Sequence, residues 1–513
     1  MPTFFGRTGG KMLSLLAVAT LAAAALAQAG TRLPAGIRPA TGPARAHDGL
    51  RHVKHNAGPG PVYYAGGATL PAIAYVGATQ AVAGQANPAI VPGPGTNGTI
   101  FGYFASTYSP NGGLDTLTYC QTGSGFGKTV MDADNDNLGA SQPTPLPPNA
   151  NLPCPSPVGT KPTAMVNGFG AVGQDFGDFS GSDAPLASTE FGDWNNNQGT
   201  QGRSNFGRGL PTQIPYIIGA VAILYNNDDP AIENSRLNLT AVQLCKIADG
   251  EITNWNQLNH NFASKTLYFS DRSDKSGTSF SFSNHLNKTC KGAGETYGVS
   301  QNYDEYVPGN PAIGALPNPL PPGATHQFFL PASGNGGVVA AIEAQDGAIG
   351  YTEAANALNA VNGSNLNFSL IAGKDPIKNL PSAASQVLLS SLLTSEAVGS
   401  DVANGRAPLV QLSPTDNCVL LVSPISYASP KGYPIIAVTN LEFSQHGNGA
   451  NAADLETLAY MMSQKKPEAV GPGKITTVDL FGKSSVGTTG YSTLNQTSFG
   501  PVIKQTALTC INS

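Results

Sequence analysis

Leu267-Tyr268-Phe269-Ser270-Asp271-Arg272-Ser273-Asp274-Lys275-Ser276-Gly277-Thr278-Ser279 decides how this chain folds. Its first four residues have the apolar, aromatic character of a short strand. A polar loop around Arg272 follows, and Ser279 to Asn287 reads as a helix. A strand feeding a loop that opens a helix is the building unit of α/β proteins. The loop joins a guanidinium, hydroxyls and the amides of a helix N-terminus, a combination suited to an oxyanion.

A second segment, Gly181-Ser182-Asp183-Ala184-Pro185-Leu186, sets a lone carboxylate in a turn of small residues. A carboxylate is out of place at an anion site unless the anion carries a proton. Phosphate still does near neutral pH, whereas sulfate does not. Asp183 would accept that proton as a hydrogen bond and repel anions lacking one, so the two segments together predict inorganic phosphate as the ligand.

The alternation of strand and helix extends along the chain. Pro61-Val62-Tyr63-Tyr64 reads as a strand running into Gly66-Gly67-Ala68-Thr69-Leu70-Pro71, and Ala72 to Ala83 as a buried helix with Pro71 at its first turn. Ile214 to Tyr225 is a nearly unbroken apolar run, suiting a strand buried on both faces. Thr240 is the N-cap of a helix within Leu239–Leu258. Gly337 to Glu343 and Leu455 to Met462 read as helices, and Gly347 to Tyr351 and Tyr433 to Thr439 as a turn into a strand and a buried strand. Residues 360–420 are weakly patterned, and 132–165, dense in Asp, Asn and Pro, read as an inserted loop. This order predicts an α/β fold with mainly parallel sheets.

At 513 residues, with 40% hydrophobic and only 12% charged residues, the chain has material for a large core and a surface built on uncharged polar groups. The net charge of -5 argues against nucleic acid as a partner. Arg7 and Lys11 precede an apolar stretch, Met12 to Leu26, that closes on Ala25-Leu26-Ala27. This is the pattern of a signal peptide spanning 1–27, too short for a membrane span. Residues 28–60, rich in Pro, Gly, Ala and Arg, read as a flexible leader. No cysteine precedes Cys120, so a lipid anchor is not expected, and the location is periplasmic or secreted. Six cysteines in an exported chain predict three disulfides. Sequence order pairs Cys120 with Cys154, Cys245 with Cys290 and Cys418 with Cys510. No metal site or cofactor is expected.

Several segments resemble the periplasmic phosphate-binding proteins of phosphate ABC transporters (the PstS-like proteins), and especially their DING-type relatives. The matching stretches are Gly66–Pro71, Gly123-Ser124-Gly125, Asp178–Leu186, Leu239–Trp255, Arg272–Ser279, Gly347–Tyr351 and Tyr433–Gln445. Each alone is a weak motif; their order and spacing are specific. The resemblance implies a two-lobed, hinged periplasmic binding protein of type II, with lobe one from 61–218 plus 432–513 and lobe two from 219–431. It implies that Thr69 and Leu70 give a hydroxyl and amides to phosphate and that Ser124 adds a hydroxyl. Asp183 would accept the phosphate proton. Arg272 would clamp the anion, with Ser276, Gly277 and Thr278 as donors and Asp274 orienting the arginine. An inner-membrane ABC permease is the implied partner, and a monomer is expected. The DING-type Asp-Ile-Asn-Gly start is replaced here by Val62-Tyr63-Tyr64-Ala65, and the interval from Ser124 to Asp183 is longer than in the transporter proteins.

Taken singly, the same residues have plainer readings. Gly-Gly-Ala-Thr makes an ordinary turn and N-cap, Ser-Gly-Thr-Ser caps a helix, Asp274 caps the helix after it, and Arg272 forms a weak surface ion pair. Charge-assisted hydrogen bonds contribute roughly 1.5–3 kcal/mol each, whereas micromolar binding needs about 8. Only several contacts from two lobes suffice. Gly123-Ser124-Gly125-Phe126-Gly127-Lys128-Thr129 ends like a phosphate-binding P-loop, but Thr122 stands where that pattern requires glycine. Asp132-Ala133-Asp134-Asn135-Asp136-Asn137 opens like a calcium loop, yet Pro143 occupies the place of its closing glutamate. The chain is therefore expected to be a binding protein rather than an enzyme. A DING-type secreted phosphatase and a secreted surface or adhesion protein on the same fold are the alternatives.

Overall fold

The computed structural model describes residues 62–77, 86–89, 99–107, 116–133, 177–196, 209–233, 236–290, 297–303, 328–361, 364–388, 392–399, 409–412, 418–461, 490–493 and 500–513. The signal peptide, the leader, the insertion from residue 134 onward and all but the start of the calcium-like loop lie outside them.

Ten strands form one mixed sheet: β1 (Val62–Gly67), β2 (Ala86–Ala89), β3 (Thr116–Gln121), β4 (Phe179–Ser182), β5 (Pro211–Asn226), β6 (Tyr268–Ser270), β7 (Ala348–Glu353), β8 (Leu366–Phe368), β9 (Ile436–Ser444) and β10 (Tyr491–Thr493). Their order is β2-β3-β1-β4-β9-β5-β7-β6, with β8 and β10 also paired to β5. Parallel pairs lie in the two halves, where β1 joins β3 and β4, and β6 joins β7. Antiparallel β9 and β5 run between them. Pro211 to Ala220 of β5 pairs with β9, and Val221 to Tyr225 with β7. One strand thus serves both halves of the sheet and is buried along almost its whole length, which is why its sequence is apolar without alternation.

Helices cover the sheet: α1 (Ala72–Val76), α2 (Ser124–Ala133), α3 (Ala241–Ala248), α4 (Gly277–Thr289), α5 (Gly334–Ala344) and α6 (Ala452–Met461) are those that matter for the site and its surroundings. Thr240 caps α3 in a reciprocal capping box with Gln243. Two aromatic stacks mark the core of each half. Tyr75 lies on Phe101 with ring centroids 4.8 Å apart, and Phe282 on Tyr351 at 4.5 Å. Cys245–Cys290 ties α3 to the end of α4, and Cys418–Cys510 ties the C-terminal helix to the segment before β9. Cys120 is also disulfide-bonded, while Cys154 falls outside the described residues.

The α/β fold class and most of its elements follow the sequence reading, with shifted boundaries. The helix expected over Ala72–Ala83 ends at Val76, because Gly77 takes φ 86 and turns the chain. Helices α4 and α5 begin earlier than expected, at Gly277 and Gly334. The strand expected at Tyr433–Thr439 starts at Ile436 and runs on to Ser444. The weakly patterned region is built of short pieces, including strands Glu396–Val398 and Leu409–Gln411 and a helix Leu380–Leu388. Elements this short carry too few residues for a period to show. No helix among the described residues is long and apolar enough to cross a membrane.

Candidate functional site

The site lies where loops from both halves of the sheet meet. β1 ends in Gly66-Gly67, and a Cβ at Gly67 would come within 2.2 Å of the Gly181 carbonyl oxygen. Glycine there lets β1 and β4 approach, and Ala68 N–H donates to Gly181 O at 2.7 Å. Tyr119 and Tyr491 hydroxyls then pin the Ala68 and Leu70 carbonyls at 2.8 and 2.7 Å. This fixes the Thr69-Leu70 loop at the head of α1. β4 runs directly into Asp183, and Ser124 is the first residue of α2.

Ser124 Oγ accepts two backbone N–H groups, from Asp183 at 3.0 Å and from Gly277 at 3.1 Å. One hydroxyl therefore links the Asp183 turn to the start of α4. Gly125 N–H donates to Lys275 O at 3.1 Å along the same seam. Across it, Asn335 N–H reaches Thr69 Oγ1 at 3.4 Å. Thr69, Leu70, Ser124, Asp183, Arg272, Ser276, Gly277 and Thr278 are all brought to this junction or its immediate walls, and all are buried.

Arg272 is enclosed, with its backbone N–H on the Tyr351 hydroxyl. Its Nε and Nη2 grip Asp274 Oδ1 and Oδ2 at 2.7 and 2.5 Å, a bidentate pair. Burial by itself would push the guanidinium down; the Asp274 carboxylate outweighs it and holds Arg272 above its ordinary range. Nη1 turns the other way, to Thr278 Oγ1 at 3.3 Å and Asn335 Oδ1 at 3.2 Å. Asp274 thus orients the arginine and also accepts Gly334 N–H at 3.0 Å. Capping of the following helix falls instead to Ser276, whose Oγ accepts Ser279 N–H at 3.2 Å. That commits the Ser276 oxygen to the helix.

Asp183 accepts the Thr439 hydroxyl on Oδ1 at 2.6 Å. Its Oδ2 is buried and has no hydrogen-bond partner among the described residues. Burial pushes the carboxyl up to about 7; the Thr439 bond and the Arg272 charge oppose the rise without cancelling it. The junction therefore holds a fixed cation and a carboxyl that is easily protonated, each within the other's field.

Two residues of this constellation escape sequence reasoning. Thr439 is the hydroxyl at the end of Ile436-Ala437-Val438, next to a bulge where β9 and β5 change register. Asn335 stands in Gly334-Asn335-Gly336-Gly337 at the start of α5, and a polar residue between glycines before a helix was its only signal. The P-loop likeness fails at its lysine. Lys128 turns inward from α2 to Glu190 at 2.6 Å and is buried.

A family model for the PBP superfamily domain matches residues 93–413, more than half of the chain. This chain belongs to the PBP superfamily. Alkaline phosphatase L of Pseudomonas aeruginosa is similar to it, 27% identical over 331 residues that cover 64% of this chain and 68% of the relative. Phosphate-binding protein PstS 2 of Mycobacterium tuberculosis is 28% identical over 327 residues, 60% of this chain and 71% of the relative. Among solved structures, a high affinity periplasmic phosphate-binding protein (PfluDING) bound with phosphate superposes with TM-score 0.50 at 18% identity, covering 86% of this chain and 92% of that one. An ancestral soluble variant of the human phosphate binding protein gives TM-score 0.50 at 19%, covering 86% and 93%. At such identities the likeness speaks for the fold, which is the two-lobed one expected. Of the two relatives, one is thus named for phosphatase activity and one for phosphate binding.

Proposed function

We propose that this protein is an exported receptor that captures inorganic phosphate between its two lobes, 61–218 with 432–513 and 219–431, for delivery to an ABC permease. Thr69, Leu70, Ser124, Gly277 and Thr278 supply hydroxyl and amide donors, Ser276 adds a hydroxyl hydrogen, and Arg272 supplies the charge. The observation that carries the reading is the buried Oδ2 of Asp183, without a partner among the described residues and in the field of Arg272. A fully ionised anion would meet that oxygen charge against charge; a protonated phosphate gives it a hydrogen bond. Only with the lobes together do donors from both surround one anion, so phosphate favours the closed state by its differential affinity.

Calorimetric titration of the phosphate-stripped protein tests this, with sulfate as the control. One-to-one binding of phosphate without a sulfate response is expected. Absence of phosphate binding in a folded sample overturns the reading. Export predicts a secreted or periplasmic product that starts just after Ala27.

The kinship with alkaline phosphatase L supports a second reading, hydrolysis of phosphate esters at the same place. Hydrolysis needs an activated nucleophile or a metal-bound water. Among the described residues no group of three His, Cys, Asp or Glu is placed to hold a metal. Turnover of p-nitrophenyl phosphate that inorganic phosphate inhibits and Asp183→Asn alters would favour this reading over pure capture.

A further inference from the structure

The side chain of Asn335 is fully buried at the centre of the junction. Its Oδ1 receives Arg272 Nη1 at 3.2 Å, Thr278 Oγ1 at 3.4 Å and the backbone N–H of Glu353 at 3.3 Å. Two of these three are N–H groups that can only donate, so the atom they face is the carbonyl oxygen and the amide orientation is set by chemistry. Nδ2 is then the end that these three donors leave free. It is buried and has no hydrogen-bond acceptor among the described residues. Buried donors are almost always satisfied, and leaving one unpaired is costly.

Asp183 Oδ2, an acceptor, and Asn335 Nδ2, a donor, are thus two buried atoms of opposite kind that find no partner among the described residues. A protonated phosphate offers the complement of both, a P–OH for the carboxylate and an unprotonated oxygen for the amide. Building on the receptor reading above, we propose that Asn335 is a further specificity-determining residue: its Nδ2–H donates to a phosphate oxygen while its Oδ1 holds Arg272 and Thr278 in place. The amide recognises an acceptor oxygen, as Asp183 recognises a donor, so the two residues read the protonation pattern of the anion from opposite sides.

Asn335→Asp separates the two halves of this role. The carboxylate keeps an oxygen for Arg272, Thr278 and the Glu353 amide, but turns the donor into a second acceptor. Phosphate would then have to bring another proton, which it does more readily at low pH. The titratable groups on the elements packed around Asn335 are Arg272, Asp271 and Asp274 in the loop after β6, Tyr351 and Glu353 on β7, and Asp183 across the seam. Taking the ratio of variant to wild-type affinity at each pH cancels their common contribution.

The experiment is calorimetric titration of wild type, Asn335→Asp and Asn335→Ser with inorganic phosphate from pH 5.5 to 8.5, with thermal melts of each phosphate-free protein. Losing a hydrogen bond to a charged oxygen predicts about tenfold to a hundredfold weaker binding for Asn335→Ser. For Asn335→Asp the deficit relative to wild type should grow at least tenfold from the lowest to the highest pH. A constant ratio across pH, or wild-type affinity in either variant, overturns the role of Nδ2 and leaves Asn335 as a brace for Arg272. Should Asn335→Asp not fold, Asn335→Ser decides alone by the size of its loss. Failure of wild type itself to bind phosphate overturns the receptor reading first, and this role with it.

Discussion

Thr439 donates its hydroxyl to one carboxylate oxygen of Asp183 at 2.6 Å, and the other oxygen of Asp183 is left buried without a partner among the described residues. A strand from the C-terminal part of the chain therefore fixes the orientation of a carboxyl that follows β4. On the receptor reading, the free oxygen of this half-satisfied acid would accept the P–OH of a protonated phosphate.

Replacing Asp183 by Asn removes the repulsion that excludes unprotonated anions. A site built around one hydrogen bond can reject an analogue lacking it by roughly 10⁴–10⁵, so Asp183→Asn should lose most of the preference for phosphate over sulfate. Competitive titration with the two anions measures it. Unchanged selectivity removes Asp183 from this role.

The same carboxyl ties stability to pH. Its folded pKa, about 7, lies above the 3.8 of an unperturbed aspartate. Its contribution is fully present below about pH 3.8 and is lost as pH rises through about 7. At pH 8 the phosphate-free wild type should be less stable than Asp183→Asn by up to about 4 kcal/mol. Chemical denaturation of both proteins at pH 5 and pH 8 checks this, and the gap should shrink at the lower pH.

His285 acts in the opposite direction. It is buried on α4, with Nδ1 at 3.2 Å from Ala428 O. Burial lowers it from 6.5 to about 4, against the carbonyls of Ala428 and Pro434, which raise it. A depressed folded pKa means stability that is present above about pH 6.5 and lost as pH falls toward 4. His285→Gln should flatten the pH dependence of unfolding in that window, by about 3 kcal/mol at most. An equally steep profile in the variant would assign the acid sensitivity to other groups.

Arg272→Lys keeps the charge and loses the fork. A lysine cannot hold both oxygens of Asp274 while also reaching Thr278 and Asn335. Phosphate affinity should fall about a hundredfold, with stability reduced less than in Arg272→Ala, where the buried Asp274 is left unpaired at a cost of about 3–5 kcal/mol. Titration and thermal melts of the two variants separate these effects.

Gly277 packs closely against Ser124 and Asp183 across the seam. A Cβ there would meet Ser124 Oγ at 2.4 Å and Asp183 Cβ at 2.5 Å. Gly277→Ala should therefore resist closure, weakening phosphate binding by at least tenfold. Small-angle scattering with and without phosphate would show whether the variant still compacts.

Much of this was legible in the residues. Arg272 stands out because a strand, a polar loop and a helix start follow one another within a few positions. Thr240 and Gln243 announce their capping box, and the apolar run of β5 announces burial on both faces. Thr439 and Asn335 did not stand out. Their meaning depends on partners far away in sequence, Asp183 for the first and Arg272 and Thr69 for the second. Ser276 fits both a ligand and a cap by sequence, and the geometry gives its oxygen to Ser279 N–H.

The sequence by itself determined the local chemistry: which elements form, where a guanidinium, hydroxyls and helix amides coincide, and that a single acid waits in a turn of small residues. These follow from short-range periodicity and from the donor and acceptor character of each side chain. Tertiary structure alone decided which atoms of Asp183 and Asn335 are already spent and which remain unpaired. That depends on β9 meeting a loop 256 residues away and on α5 packing against the Arg272 loop, 63 residues away, and burial turns an unpaired atom from a trivial exposure to water into a demand for a specific ligand atom.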